Sequence, residues 1–559
     1  MIVAEFIANF FVEKEIKHIF GFQGGAILKI LDYMISSGKI EYIQNYHEQA
    51  SSFCADAYAR ITGKIGAAIA TSGPGATNLI NGIVNAQFDS VPCIFITGQD
   101  YTQNIKKPKG VRLNGFQDLD IVQMVKPVTK YAATIYDPKK IKYELQKAYH
   151  LAISGRPGSV LLDIPIDIQF AEIQENELEV FDKFSEFQNE LSKIDEFFKL
   201  LQSSSRPTIL IGGGIRTAKA TKELKEFAEL SQIPVVTTLN GIDCLEGAFS
   251  FSGLHGNTFA NLALYNSDLI LVLGSRLGQR QVGKKREKYA KNAKFIHVDI
   301  DRIELNRAVK EDLSIVADVK VFLSEVNKII KKEKVFIPDF SSWFQQISDW
   351  KEKHSGNTHL NKKSLDPVVF LKKLFPSFEE NAIFVSDVGH NQMWVAQAVQ
   401  IKGEQRLLNS TGFGSMGYAL PASIGAKFAK PNSQVVCFTG DGGLQMNMQE
   451  LLLISQKRLD IKCIVFNNNT LGMMREVQER YFNSHFFGSN SKDFICVDLL
   501  KLAATYDLGY LKISEEKDIE KMKDVLQQKD PYIIDLRLSK DSLLLNRYDE
   551  SDVFERNTL

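Results

Sequence analysis

The stretch QVVCFTGDGGLQMNMQELLLISQKRLDIKCIVFNNN, Gln434 to Asn469, decides how the rest of the chain is read. It opens on an apolar run, Gln434 to Thr439, that stops at Gly440-Asp441-Gly442-Gly443. It closes on a second run, Ile464-Val465-Phe466, that stops at three asparagines. Between them Leu444, Met448, Leu451 and Leu452 fall near helical spacing. A strand, a helix and a strand in that order make one crossover, which lays the two strands parallel and side by side. Asp441 and Asn468, with 26 residues between them, then emerge at one carboxyl edge, where open α/β sheets bind ligands. Three amides at the mouth of a buried strand are unfavourable unless something accepts them. One carboxylate, one amide oxygen and a backbone carbonyl suit a hard cation such as Mg²⁺, which completes its shell with water and phosphate oxygens. Gly440, Gly442 and Gly443 allow the backbone close to those phosphates, and the helix N-terminus that follows favours negative charge. A tight turn would explain GDGG by itself, but not asparagines placed one crossover later.

Outward from this unit, short apolar runs alternate with helical periodicity along the whole chain, the pattern of parallel sheets covered by helices. The expected architecture is α/β, with three doubly wound parallel-sheet domains over 1–172, 190–335 and 364–540 and a polar tail over 541–559. The first block holds GAAIATSGPGATNLINGIVNAQFDSVPCIFITGQ and closes with SGRPGSVLLDIPIDIQ. A charged, glycine-free stretch from Ile173 to Leu200 reads as a linker. The second block opens with RPTILIGGGI and runs through DLILVLGSRLG and AKFIHVDID. Charged residues from Lys328 to Lys334 mark its expected end. The first and third blocks resemble each other in length and pattern, which hints at two copies of one architecture.

Composition narrows the function classes. The 559 residues are 44% hydrophobic and 24% charged, with Lys+Arg and Asp+Glu both at 67, so nothing favours a polyanionic partner such as nucleic acid. No apolar run approaches the roughly 18 residues of a membrane span. The N-terminus is apolar at helical spacing but carries Glu5, Glu13 and Glu15, and reads as an amphipathic first helix and not as a signal peptide. Six cysteines without a CxxC pair suggest buried thiols and a reducing, cytoplasmic setting.

The GDG…NN pair resembles the signature of thiamine diphosphate enzymes, and GMMREVQ (Gly472–Gln478) resembles the stretch after the metal site in acetolactate (acetohydroxyacid) synthases. YHEQASSF, TSGPGATN, DVGHNQMW and GSMGYALPASIGA extend that resemblance from Ile2 to about Leu538. It implies a transferase in which Asp441, Asn468 and the Thr470 carbonyl hold Mg²⁺. It makes Glu48 the catalytic carboxylate at the aminopyrimidine, and sets Phe116 and Gln117 beside the reacting carbons. It places the cofactor against Pro74, Asn78, Gly389, His390, Asn391, Gly414, Met416, Leu471, Gly472 and Met473. Met416 would be the wedge that bends the cofactor. For the middle block it implies FAD, bound structurally by Arg156, Gly212, Gly213, Gly214, Thr238, Leu239, Leu254, His255, Gly274, Ser275, Arg276, Arg280, Asp299, Ile300 and Asp318. It further implies a homodimer as the smallest active unit, with a homotetramer also compatible, and leaves a regulatory small subunit open.

Four departures bear on the flavin and on specificity. SRLGQR stands where the family shows ARFDDR, so Gly278 replaces an acid. Val477 stands at the tryptophan of GMVRQWQ, and Ile166 at the lysine of LPKD. The loop Asp100–Gly115 before Phe116 is longer. The implied reaction is decarboxylation of pyruvate and transfer of its two-carbon unit to a second carbonyl substrate. A 2-oxo acid acceptor gives an acetolactate synthase-like enzyme, and a keto-sugar nucleotide gives a branched-sugar-forming one. An inactive regulatory nucleotide-binding homologue is the alternative from another class; retention of Glu48, Asp441 and Asn468 argues against it.

Overall fold

In a computed structural model, residues 1–105, 110–182, 187–355, 365–490, 492–542 and 544 are described. Residues 106–109 of the long loop before Phe116, 183–186 of the linker, 364 at the expected start of the third domain and most of the tail expected over 541–559 lie outside them.

Every strand pairing within the three sheets is parallel among the described residues. The first sheet contains β1 (His18–Phe22), β2 (Glu41–Gln44), β3 (Gly66–Ala70), β4 (Cys93–Gln99), β5 (Tyr131–Thr134) and β6 (Ser159–Pro165), in the order β2-β1-β3-β4-β6-β5. The middle sheet contains β7 (Pro207–Ile211), β8 (Val235–Thr237), β9 (Leu269–Leu273), β10 (Lys294–Asp299) and β11 (Leu313–Val316), in the order β11-β10-β9-β7-β8. The third contains β12 (Ile383–Ser386), β13 (Arg406–Asn409), β14 (Val435–Gly440), β15 (Ile461–Asn467), β16 (Gly509–Ile513) and β17 (Tyr532–Arg537), in the order β13-β12-β14-β15-β17-β16. The first and third orders are the same permutation, so the repeat hinted at by pattern is a repeat of topology.

The expected boundary at 335 falls short. Lys328 to Lys334 do not separate two domains; all but Lys334 belong to the helix Val319–Glu333. The chain then forms a further helix, Ser341–Ser355. Trp343, Ile347 and Trp350 of that helix join the core of the middle sheet, and the Trp343 indole donates to the Pro207 carbonyl at 3.1 Å. Its apolar face needs that sheet to leave water.

The first and third domains share one hydrophobic core. Its centre is the helix Glu48–Thr62, packed on the helix Ala419–Ala429. The helices approach so closely at Gly425 that a Cβ there would lie 2.1 Å from the Cys54 carbonyl oxygen. Around this contact Arg60 reaches Asp56 and Asp89, and Tyr418 donates to Asp56 at 2.8 Å. Asp89 in turn accepts from the backbone N–H groups of Thr411 and Gly412. Burial opposes ionisation of Asp89, but Arg60 and these Thr411 contacts hold its carboxyl below the usual range.

All six cysteines are free thiols, and Cys437 and Cys463 face each other across β14 and β15. The first helix, Val3–Glu13, buries Val3, Phe6, Ile7, Phe10 and Phe11 against the first sheet. No helix among the described residues is long and apolar enough to cross a membrane.

Candidate active site

The register of β14 on β15 runs from Val435↔Ile461 to Gly440↔Phe466, so both strands end level. Asp441 begins the helix Asp441–Asn447, and the three asparagines turn the chain beside it. Each has a separate task. Asn467 donates to Asp535 of β17 at 2.9 Å and braces the sheet. Asn469, at φ +55°, accepts from the Cys496 N–H and donates its own N–H to Asp441 Oδ2 at 2.6 Å. Asn468 points its amide at the first turn of the next helix, Gly472–Tyr481. Thr470 is buried, with its hydroxyl donating to the Ser489 carbonyl.

No group of three His, Cys, Asp or Glu side chains is placed to hold a metal ion among the described residues. Asp441 is therefore the sole carboxylate of this donor set. Burial pushes its carboxyl up to about 6, against the pull of the Asn469 and Gly442 N–H groups. A divalent cation would favour its ionised form.

Two glycines are closely approached at this edge, in two different surroundings. A Cβ on Gly442 would meet Leu471 at 2.5 Å, Met416 Cε at 3.5 Å and Phe494 at 3.7 Å. A Cβ on Gly472 would meet His390 Nδ1 at 2.8 Å and Asn468 Nδ2 at 3.3 Å. The first setting is apolar and the second polar. His390 opens the helix His390–Ala398, which Gly389 caps at φ +115°. Asn391 donates to the Asp387 carbonyl at 3.1 Å, with its Oδ1 on the Gly389 and Gly440 side. Gly414, at φ +74°, donates to Ser410 Oγ. Met473 is half-buried, packed against the core of the third sheet. The arrangement fits a ligand with an apolar ring and a phosphate end: an unpartnered buried imidazole nitrogen at Nδ1, glycines where side chains would intrude, and an oxygen-rich metal seat.

Glu48 lies in the first domain at the start of its helix, which His47 caps by accepting from the Gln49 N–H. Its Oε2 accepts from Asn78 Nδ2 at 2.9 Å. A Cβ on Gly75 would lie 3.1 Å from its Oε1, so the turn at Gly73, with φ +57°, and exposed Pro74 brings backbone up to the carboxylate. Gln117, at φ +60°, packs its Cβ on that turn and accepts from Ser72 Oγ at 3.3 Å. Phe116 beside it is an apolar ring left 81% exposed by the described residues.

Sequence reasoning missed the acids that brace these groups. Glu450 of the third domain is fully buried and accepts from Asn45 Nδ2 and the Tyr46 N–H, each at 2.9 Å, so it holds the turn leading into Glu48. Asp387 accepts from the backbone N–H groups of Val388, Gly417 and Ala419 and so ties the His390 turn to the Met416 turn. Its signal was legible: an acid ending an apolar strand, as at Asp441. Glu450 lies 405 positions from Asn45 and left no such signal. In the first domain, Asp163 accepts from Thr97, Gln99 and Thr134, and Gln99 also donates to the carbonyl of Leu119, whose N–H donates to the Gln117 carbonyl at 2.8 Å.

These three acids set the pH response of the fold. Burial raises Asp163 and Glu450 to about 7 and Asp387 to about 6. Between about pH 4 and 7 the folded chain therefore binds more protons than the unfolded one, and stability rises as pH falls through that window. Asp441, also raised to about 6, adds to them, and His18 and His354, lowered by burial, oppose them. The low-lying Asp89 and Asp243 withdraw their contribution as pH falls from the ordinary carboxylate value toward their own, depressed ones, below this window. The melting temperature of the cofactor-free protein should rise from pH 7.5 to pH 5.5 by on the order of 2–4 °C, as read by differential scanning fluorimetry.

A second cleft, of about 490 Å³, opens where the first and middle domains meet residues Thr411 and Gly412 of the third. Of the residues expected to hold FAD, Arg156, Gly212, Gly213, Gly214, Thr238, Leu239, Leu254, Gly274, Ser275, Arg276, Arg280, Asp299, Ile300 and Asp318 line it, and His255 does not. His255 is buried, with its carbonyl accepting from Gln397. Gly212 and Gly214 are also needed for packing, since a Cβ on either would collide with the Gly274 backbone at 2.3 and 2.7 Å. Arg156 spans the mouth, donating to Ser90, Asp301 and Glu304.

Known proteins agree with this layout. Three domains of the thiamine pyrophosphate enzymes match in order: the N-terminal TPP binding domain over residues 1–124, the central domain over 194–326 and the C-terminal TPP binding domain over 387–536. An acetolactate synthase large subunit of Cyanidium caldarium is 35% identical over 550 residues, spanning 95% of this chain and 92% of that one. One from Lactococcus lactis subsp. lactis is 35% identical over 540 residues, spanning 95% and 92%. A probable acetolactate synthase large subunit of Methanocaldococcus jannaschii is 36% identical over 554 residues, spanning 95% and 91%. The chain belongs to the acetolactate synthase large-subunit family of thiamine pyrophosphate enzymes. The three side-chain positions expected to depart from the family pattern fall in three different domains. Val477, 36% exposed, shares one face of the helix Gly472–Tyr481 with exposed Met474 and Tyr481. Gly278 lines the cleft of the middle domain. Ile166 begins the short helix Ile166–Phe170, whose Asp167 accepts from Thr102 of the long loop.

Proposed function

We propose that this chain is a thiamine diphosphate-dependent carboligase that decarboxylates pyruvate and transfers its two-carbon unit to a second 2-oxo acid, as acetolactate synthases are named for doing. The observation that carries this reading is the convergence of Asp441, Asn468 and Thr470 at one sheet edge, with apolar surroundings at Gly442 and polar ones at Gly472. When bound, thiamine diphosphate supplies a nucleophilic carbon for the keto group of pyruvate and a sink for the electrons left as CO₂ departs.

The protein's part is binding, orientation and proton control. Asp441, the Asn468 amide oxygen and the Thr470 carbonyl would hold Mg²⁺, with diphosphate oxygens completing its shell. Gly389, His390, Asn391, Gly440, Gly443, Gly472 and Met473 line the phosphate end. Met416, with Gly442 and Leu471, shapes the ring end and keeps reacting atoms close. Glu48, held by Asn78 near the Gly73-Pro74-Gly75 turn, would share a proton with the N1′ nitrogen of the aminopyrimidine. Phe116 and Gln117 would flank the reacting carbons. FAD is the dinucleotide we assign to the 490 Å³ cleft, in a structural role, with Gly278 leaving one family contact unfilled.

The uncovered Phe116 ring, together with Leu113 at 63% exposure, supports a second copy closing over this face. A homodimer is then the smallest active unit, able to pair into a homotetramer. The relatives' name, large subunit, supports a smaller regulatory partner. The reading places the enzyme in the cytoplasm.

Val477 and Ile166 in place of an aromatic and a cation alter recognition of the acceptor, but the relatives do not favour a keto sugar or an inactive homologue. Incubation with pyruvate, thiamine diphosphate and Mg²⁺, followed by mass identification of products, tests the reading. Acetolactate should accumulate from pyruvate alone. Turnover only after a keto-sugar nucleotide is added would overturn the 2-oxo acid acceptor, and no CO₂ release under any condition would overturn the enzyme.

A further inference from the structure

Behind His390 lies a buried acid, Glu476, with no role in the account above. His390 Nε2 donates to Glu476 Oε2 at 2.9 Å, and both side chains are about 95% buried, at 5% and 6% exposure. Glu476 sits one turn into the helix Gly472–Tyr481, and its other oxygen accepts from Arg480 at 3.3 Å. With Nε2 committed to a carboxylate, the ring cannot flip without losing a charge-assisted hydrogen bond. The other nitrogen, Nδ1, is buried and has no hydrogen-bond partner among the described residues. It lies 2.8 Å from the Cβ position of Gly472, the first residue of that helix, and Asn468 Nδ2 lies 3.3 Å from the same point. Two helices, His390–Ala398 and Gly472–Tyr481, thus bring their positive N-terminal ends together here. A buried polar atom left open in such a place calls for an anionic ligand. The apolar neighbours gather at Gly442 instead, so the anionic end belongs at Gly472.

We propose that Glu476 is a positioning residue for the distal phosphoryl group of the cofactor: it accepts the Nε2–H of a His390 ring that carries a proton on both nitrogens, and so aims Nδ1–H, with Asn468 Nδ2 and the first N–H groups of the Gly472–Tyr481 helix, at that group. This rests on the thiamine diphosphate reading and adds to it how the site tells a diphosphate from a monophosphate. The pair also couples the two helices across a separation of 86 residues.

The test compares binding of thiamine diphosphate and thiamine monophosphate to the cofactor-free full-length protein in Mg²⁺ buffer. Tryptophan fluorescence is a suitable readout, since Trp394 lies 5.3 Å from the His390 ring. Glu476→Ala should weaken diphosphate binding about 10- to 100-fold, the scale of a lost hydrogen bond to a charged group, and leave monophosphate binding unchanged. Glu476→Gln, which keeps an acceptor for Nε2–H, should recover most of the loss. His390→Gln should reproduce the Glu476→Ala effect, and the double variant should lose no more than either single one. Equal weakening of both ligands, unchanged diphosphate binding, or additive losses in the double variant would overturn the proposal. If the unaltered protein binds neither ligand, the thiamine diphosphate reading itself falls, a result distinct from any of these.

Discussion

Glu48→Gln should reduce turnover of pyruvate by roughly 10²–10⁴-fold, the usual worth of one positioned acid–base group, while thiamine diphosphate still binds. The amide is close to isosteric with the carboxylate. Asn78 Nδ2, which donates to Glu48 Oε2 at 2.9 Å, retains an acceptor in the glutamine carbonyl. The bracing of the preceding turn by Glu450 does not involve the side chain exchanged. What is lost is the negative charge that shares a proton with the ring nitrogen. Steady-state CO₂ release and calorimetric titration of the cofactor, done side by side, separate the two effects. Turnover within a few-fold of the parent would remove Glu48 from the catalytic machinery.

Asp441→Ala should instead act on binding. Asp441 is the only carboxylate in the donor set, and its replacement leaves amide and carbonyl dipoles to hold a divalent cation. Loss of outer-shell support alone typically weakens a metal site about 10–100-fold, so losing the ligand itself should raise the Mg²⁺ and thiamine diphosphate needed for half-saturation by on the order of 100-fold or more. Asp441 also accepts the Asn469 and Gly442 N–H groups, so the variant will loosen the asparagine turn. Asp441→Asn keeps a hydrogen-bond acceptor there. Parallel loss of Mg²⁺ dependence in both variants would locate the effect in charge and not in folding. Retained Mg²⁺-dependent binding in either would move the metal elsewhere.

The metal half of the site was legible because it depends on one crossover. Alternation of apolar runs and helical spacing fixes which strands are parallel, and parallel neighbours end at one edge, so Asp441 and Asn468 could be paired 26 residues apart. The repeat of architecture was visible only as a likeness of pattern; strand order made it a repeat of topology. The end of the middle domain was misread because a charged run looks alike whether it links domains or faces solvent on a helix. Trp343 and Trp350, which anchor the next helix to the middle sheet, were the apolar signal that outweighed the charges.

From its sequence alone this chain is determined to be three parallel α/β units with a metal-type turn in the third, because periodicity and turn chemistry are local properties of the backbone. Tertiary structure alone decided which groups brace that chemistry. Glu450 beneath the Glu48 turn, Glu476 behind His390, Asp387 between two loops and the shared core of the outer domains all join distant segments. Such contacts arise from burial of complementary surfaces, and a buried acid leaves no spacing in the sequence to announce its partner.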